Sequence, residues 1–121
     1  MLFVCYPQCT TCQKARKYLD DRGISYTLRD IKLENPTREE LALWWKQSGL
    51  NLKKFFNTSG LQYRALMLKD RLSGMSEEEM LDLLACDGML VKRPLLIADE
   101  QVLVGFKEAQ WADLAAHAAE E

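Results

Sequence analysis

Val4-Cys5-Tyr6-Pro7-Gln8-Cys9-Thr10-Thr11-Cys12-Gln13-Lys14-Ala15-Arg16 holds the turn from which this chain is read. Leu2-Phe3-Val4 is a short apolar run of the kind a buried strand presents, and Pro7 stops it. After the turn, Cys12, Ala15, Tyr18 and Leu19 recur at helical spacing, with Thr10 and Thr11 offering N-cap oxygens just ahead. Cys9 therefore falls at the mouth of a strand-to-helix turn. Cys12 lies one turn into the helix on the same face, close enough for the two sulfurs to bridge. The unpaired N–H groups and positive dipole end of the helix stabilise a thiolate there, and Lys14, Arg16 and Lys17 add positive potential. A thiolate is the nucleophilic form of cysteine, and this setting lowers a thiol pKa.

The pair reads as a redox site, with Cys9 reactive and Cys12 its resolving partner. Two plainer readings compete with it: two small buried apolar residues, or half of a zinc site. Zinc is poorly supplied, because the chain has four cysteines and one histidine, His117. A second ligand pair would need Cys5, on the strand, and Cys86, at the end of an acidic helix. Both are read as core residues, and no metal site is expected.

Working outward, residues 1–6 read as the first strand and 10–22 as the first helix, ended by Gly23 in a left-handed conformation. Residues 24–31 alternate Ile24, Tyr26 and Leu28 with polar residues, a second strand of period two. Strand, helix and strand in this order make a βαβ unit with parallel strands and a right-handed crossover. Thr37 and Glu40 form a capping box for a helix to Ser48, and Ser76 and Glu79 form another for a helix through Cys86. Between them, 51–56 reads as a short helix burying Phe55 and Phe56, and 62–68 as a further helical piece carrying Tyr63 and Arg64. Residues 95–98 and 102–104 form an antiparallel hairpin. A last helix from about residue 107 packs Trp111, Leu114, Ala115 and Ala118, with His117 on its surface. The result is an α/β fold: a four-stranded mixed sheet built from βαβ and ββα, with an all-helical insertion. One domain spans 1–121, with its core in 1–33 and 89–121 and the insertion in 34–88.

Composition narrows the function. The 121 residues carry a net charge of −2, which gives no global case for nucleic acid. No apolar run approaches the ~20 residues of a membrane span. Met1 leads straight into the first strand without a basic leader, so a cytoplasmic, reducing compartment is expected. There a C-x-x-C works as a reversible pair.

The residues Cys9-Thr10-Thr11-Cys12-Gln13-Lys14-Ala15, Asn57-Thr58-Ser59-Gly60 ahead of Tyr63-Arg64, Lys92-Arg93-Pro94 and Val104-Gly105-Phe106 resemble the ArsC/Spx family, the arsenate-reductase-like branch of the thioredoxin superfamily. The resemblance covers nearly the whole chain. It implies a thioredoxin-like fold, Cys9 as the reactive cysteine, Arg93 as its anion-binding neighbour, and Pro94 as a cis proline opposite the cysteine loop. It also implies an oxyanion pocket of three arginines. The first aligns with Ser59 and the third with Gly105, so Arg93 alone remains, with Arg64 and Lys107 as candidate substitutes. Arsenate reduction is therefore not expected.

The chain looks closest to small ArsC-related proteins of uncertain substrate. The enzyme reading is a thiol–disulfide oxidoreductase acting, as a monomer, on a small thiol or protein disulfide. It holds no bound cofactor, and glutathione is a candidate electron donor. The alternative is an Spx-type redox-switched regulator that binds the C-terminal domain of the RNA polymerase α subunit. In such regulators a glycine supports that contact, and its aligned position here is Asn51.

Overall fold

The first strand, β1 (Leu2–Cys5), lies inside the sheet and is covered on both faces, which is why its apolar residues run on without alternation. The computed structural model describes the backbone of residues 1–120 and the side chains of residues 1–114. Strand β2 (Thr27–Asp30) pairs parallel to β1, bringing Phe3 opposite Leu28. On the other edge β3 (Leu95–Ile97) pairs antiparallel to β1 and carries β4 (Val102–Val104), giving the order β2-β1-β3-β4. This is the expected thioredoxin-like mixed sheet.

Period two sorts the sheet residues between two cores. Phe3, Cys5, Leu96 and Leu103 face α1 (Thr10–Asp21) and α6 (Glu108–Glu120), where they meet Ala15, Leu19, Trp111 and Leu114. Val4, Leu95, Val102 and Val104 face the helical segment instead. That segment contains α2 (Arg38–Ser48), a 3-10 turn at Leu52–Phe55, α3 (Leu61–Ala65), α4 (Leu68–Arg71) and α5 (Glu77–Cys86). It supplies Leu41, Trp44, Phe55, Phe56, Leu81 and Leu84 to the second core. Both capping boxes form, at Thr37/Glu40 and at Ser76/Glu79.

Several local expectations need correction. Residues 24–26 are not strand: the Ile24 N–H is held by the Leu19 carbonyl at 3.1 Å, part of the closing motif of α1 in which Gly23 has φ +65°. The strand begins only at Thr27, so of the three alternating apolar residues Leu28 alone lies on it, exposed at the sheet edge. The helical piece at 62–68 is split, because Met67 takes a left-handed φ of 55° between α3 and α4. Cys86 is exposed at the end of α5, so it is not a core residue. The side chains of Ala115, His117 and Ala118 lie outside the described residues.

Two joints fasten the helical segment to the sheet. Gly88 packs so tightly that a Cβ there would sit 2.1 Å from the Ile31 carbonyl oxygen, which no side chain tolerates. On β2, the Arg29 guanidinium donates to both Glu40 carboxylate oxygens, at 2.5 and 2.9 Å, and to the Glu34 and Asn35 carbonyls. Arg29, helped by the Thr37 cap, pulls the Glu40 carboxyl down to about 2. A depressed carboxylate contributes stability above its unfolded pKa of about 4.3, and loses it as pH falls through the folded value. Glu40→Gln should therefore lower stability by about 1 kcal/mol at pH 7, a figure discounted for solvent screening. Denaturant midpoints of the two proteins should converge between about pH 4 and pH 2.

Candidate active site

The strand-to-helix turn is set by the backbone. Chain leaving Cys5 turns at Pro7, and the Cys9 N–H donates to the Tyr6 carbonyl at 2.9 Å. This closes the turn one residue earlier than threonine caps would. Cys9 itself is the N-cap of α1, with extended φ of −78° and ψ of 127°, and Thr10 and Thr11 are exposed residues of the first turn. The reading of Thr10 or Thr11 as the cap is thus corrected. No side-chain oxygen caps this helix. The N-cap side chain normally faces the free N–H groups of N2 and N3, and here that side chain is a thiol.

Cys9 is half-buried and opens onto a cleft of about 540 Å³. Lys92, Arg93 and Lys107 also line it, with Asn57, Ser59 and Gly105. Arg64, exposed on α3, is not among the lining residues. The Arg93–Pro94 bond is cis, and Pro94 is buried at the start of β3. Arg93 spends little of its donor capacity on the protein. One nitrogen reaches the Met89 carbonyl at 3.3 Å, the guanidinium lies 5.2 Å from the Tyr6 ring centre, and its buried Nε has no partner. A buried donor without an acceptor is a costly arrangement that an anionic ligand would relieve.

Behind Cys9 lies Cys12, 1% exposed, with the Tyr6 N–H donating to its sulfur at 3.3 Å. All four cysteines are free thiols. Cys5, 2% exposed at the end of β1, lies in the same buried cluster as Cys12, with Cys9 packed against it. The neighbouring Cys5 thiol, with burial second, pushes the Cys12 thiol far above its ordinary range. The Cys12 thiol in turn, aided by the charge of Arg16, pulls Cys5 down. Cys5 is the buried core residue that its place on the strand predicts, while its nearness to Cys12 joins a strand to a helix and has no local signal.

Residues Asn57, Ser59 and Gly60 reach the cleft because the preceding chain is stitched to the segment before β3. The Asn57 N–H donates to the Leu90 carbonyl at 2.8 Å and the Lys92 N–H to the Phe55 carbonyl at 2.7 Å. Gly105 stands at φ +76°, and a Cβ there would come within 3.2 Å of the Lys92 stem. Both positions aligned with missing family arginines, Ser59 and Gly105, thus face the cleft and are neutral.

Residues 5–114 match the ArsC family. The chain is 51% identical over 113 residues to the uncharacterized protein YusI of Bacillus subtilis, covering 93% of this chain and 96% of that one. It is 27% identical to the regulatory protein MgsR of Bacillus subtilis, covering 91% and 86%. A crystal structure of an ArsC family related protein from Bacteroides fragilis superposes with a TM-score of 0.92 at 54% identity, covering 93% of this chain and 95% of the other.

Accessibility sets the order in which the thiols react. Brief alkylation of the native reduced protein, read by peptide mass, should label Cys9 and Cys86 and spare Cys5 and Cys12 until denaturant is added. Equal labelling of Cys12 and Cys9 would contradict the buried placement of Cys12.

Proposed function

This chain belongs to the ArsC family, and from that premise and the cleft geometry we propose that it is a cytoplasmic thiol–disulfide oxidoreductase. The observation that carries the reading is the thiol at the cap of α1, open to a cleft with Arg93, with a second thiol buried behind it. The Cys9 thiolate attacks one sulfur of a substrate disulfide. A Cys9–substrate bond forms, and the first thiolate leaves and takes a proton from water. Cys12 then gives up its proton to water, replacing the one taken by the first leaving thiolate, and attacks the Cys9 sulfur. The Cys9–Cys12 bond forms and the second thiolate leaves, so the substrate gains two electrons. Two equivalents of a small thiol, glutathione being a candidate, return the pair to the reduced state. Arg93 stabilises the negative charge that gathers beside Cys9. Burial and the neighbouring Cys5 thiol favour the protonated form of Cys12 in the reduced protein.

Substitution separates the two roles. With a small disulfide as substrate, Cys12→Ser should accumulate a mixed disulfide on Cys9 by peptide mass while turnover falls by about two orders of magnitude or more. Cys9→Ser should give no turnover and, by peptide mass, no adduct on Cys12. Trapping on Cys12 in place of Cys9 would reverse the assignment. Arsenate is not the substrate in this reading. Each lost charged contact costs about 1.5–3 kcal/mol, so two neutral positions weaken oxyanion binding in the transition state by roughly two to four powers of ten. Arsenate turnover with glutathione and glutaredoxin supplied should stay at background, and robust turnover would refute the argument. An arginine at Gly105 is no simple remedy, given its positive φ and the Lys92 stem.

The regulator alternative draws support from the likeness to MgsR. Against it, Asn51 stands where the Spx-type contact uses glycine, and its side chain is engaged in accepting the Lys53 N–H at 3.0 Å. A pull-down with the RNA polymerase α C-terminal domain, on oxidised and reduced protein, separates the readings. Capture that requires the Cys9–Cys12 bond favours the switch.

A further inference from the structure

The cleft beside Cys9 adjoins a second groove of about 660 Å³, and Lys92, Val104 and Lys107 line both. Lys53, Lys54 and Lys69 line the second groove. Six cations thus face the combined surface, Lys53, Lys54, Lys69, Lys92, Arg93 and Lys107, and no Asp or Glu lines either part. The contrast with the whole chain is sharp, since acidic residues outnumber basic ones 18 to 16. Among the described residues none of the six takes part in an ion pair. Concave surfaces lined by one sign of charge focus the field and concentrate the opposite ion. The lysines come from three separate parts of the chain, residues 53–54, 69 and 92–107, so no single helix face accounts for the patch. Its floor is apolar, with Phe56 and Tyr63 6.4 Å apart between ring centres.

We propose that the disulfide attacked by Cys9 belongs to a small molecule with a polyanionic tail, and that this tail lies in the lysine-lined groove. The proposal rests on the oxidoreductase reading and names its substrate class. The reacting sulfur sits at Cys9. The nearest anionic group meets the free donors of Arg93 with Lys92 and Lys107, and the rest of the tail extends toward Lys53, Lys54 and Lys69. Phosphate and carboxylate tails share this chemistry. No Asp or Glu lines the groove to accept a cationic tail, and a neutral tail gains nothing from the field.

The test compares kcat/KM at low ionic strength for coenzyme A disulfide, 3,3′-dithiodipropionate, hydroxyethyl disulfide and cystamine. The anionic pair should exceed the neutral disulfide by roughly tenfold or more, with cystamine last, and the advantage should shrink as salt is raised. In the triple variant Lys53→Gln, Lys54→Gln, Lys69→Gln, the ratio of anionic to neutral kcat/KM should fall by about tenfold. An advantage confined to coenzyme A disulfide assigns phosphate, and one shared with dithiodipropionate assigns anionic tails in general. Calorimetric binding of both anionic probes to the Cys9→Ser protein gives a readout free of turnover. Saturable, salt-sensitive binding without turnover in the wild type would sustain the groove and sink the oxidoreductase reading. No saturable binding of either probe, or equal kcat/KM for anionic and neutral disulfides, would overturn the proposal.

Discussion

Strand β1 is hydrogen-bonded along both edges and covered on both faces, so the chain leaving it at Cys5 must exit at one end of the sheet and turn at once into α1. That constraint places the site. Burial fixes Cys5 beneath the turn, the Tyr6 carbonyl holds the Cys9 N–H, and the start of α1 places Cys9 at the cap. Cys12 follows on the inward face, among Ala15, Tyr18 and Leu19. One thiol is thus half-buried at the cleft and the other is buried, the arrangement on which the proposed order of attack and resolution rests. The antiparallel β3 then delivers Arg93 and Pro94 to the same end of the sheet.

The helical segment does more than cover the second face. Its stitching to the residues before β3 brings Asn57 and Ser59 to the rim of the cleft and sets Lys53, Lys54 and Lys69 beside Lys92. A site built for a compact tetrahedral oxyanion would gather arginines tightly round the sulfur. Here two such positions are neutral and the positive charge is spread along a groove, which suits a longer anion. The buried Arg93 Nε without an acceptor belongs to the same pattern.

Much of the scaffold was legible because its signals are local. Leu2-Phe3-Val4, the closing Gly23 and the two capping boxes act within a few residues, and each element formed about where its signal stood. The failures have physical causes. Threonine caps better than cysteine in general, yet the turn closed by the Tyr6 carbonyl left the cap to Cys9. Met67 breaks a helical run by taking a left-handed conformation that its residue type rarely adopts. The turn's own spacing paired Cys9 with Cys12, and the family resemblance added Arg93; Cys9 and Arg93 line the cleft, and Cys12 is buried. The nearness of Cys5 to Cys12 and the lysine groove depend on segments far apart in the chain, so no local pattern could announce them.

In the proposed reaction Cys12 bonds to Cys9, although Cys5 is buried in the same cluster. Equilibration of the protein in buffers of defined thiol–disulfide ratio, followed by acid quench and peptide mapping, tests it directly. One two-electron transition is predicted, with Cys9 joined to Cys12 and with Cys5 and Cys86 thiols throughout. Recovery of a Cys5–Cys12 bond, or of Cys9 only as an adduct of the buffer thiol with Cys12 still reduced, would contradict the account.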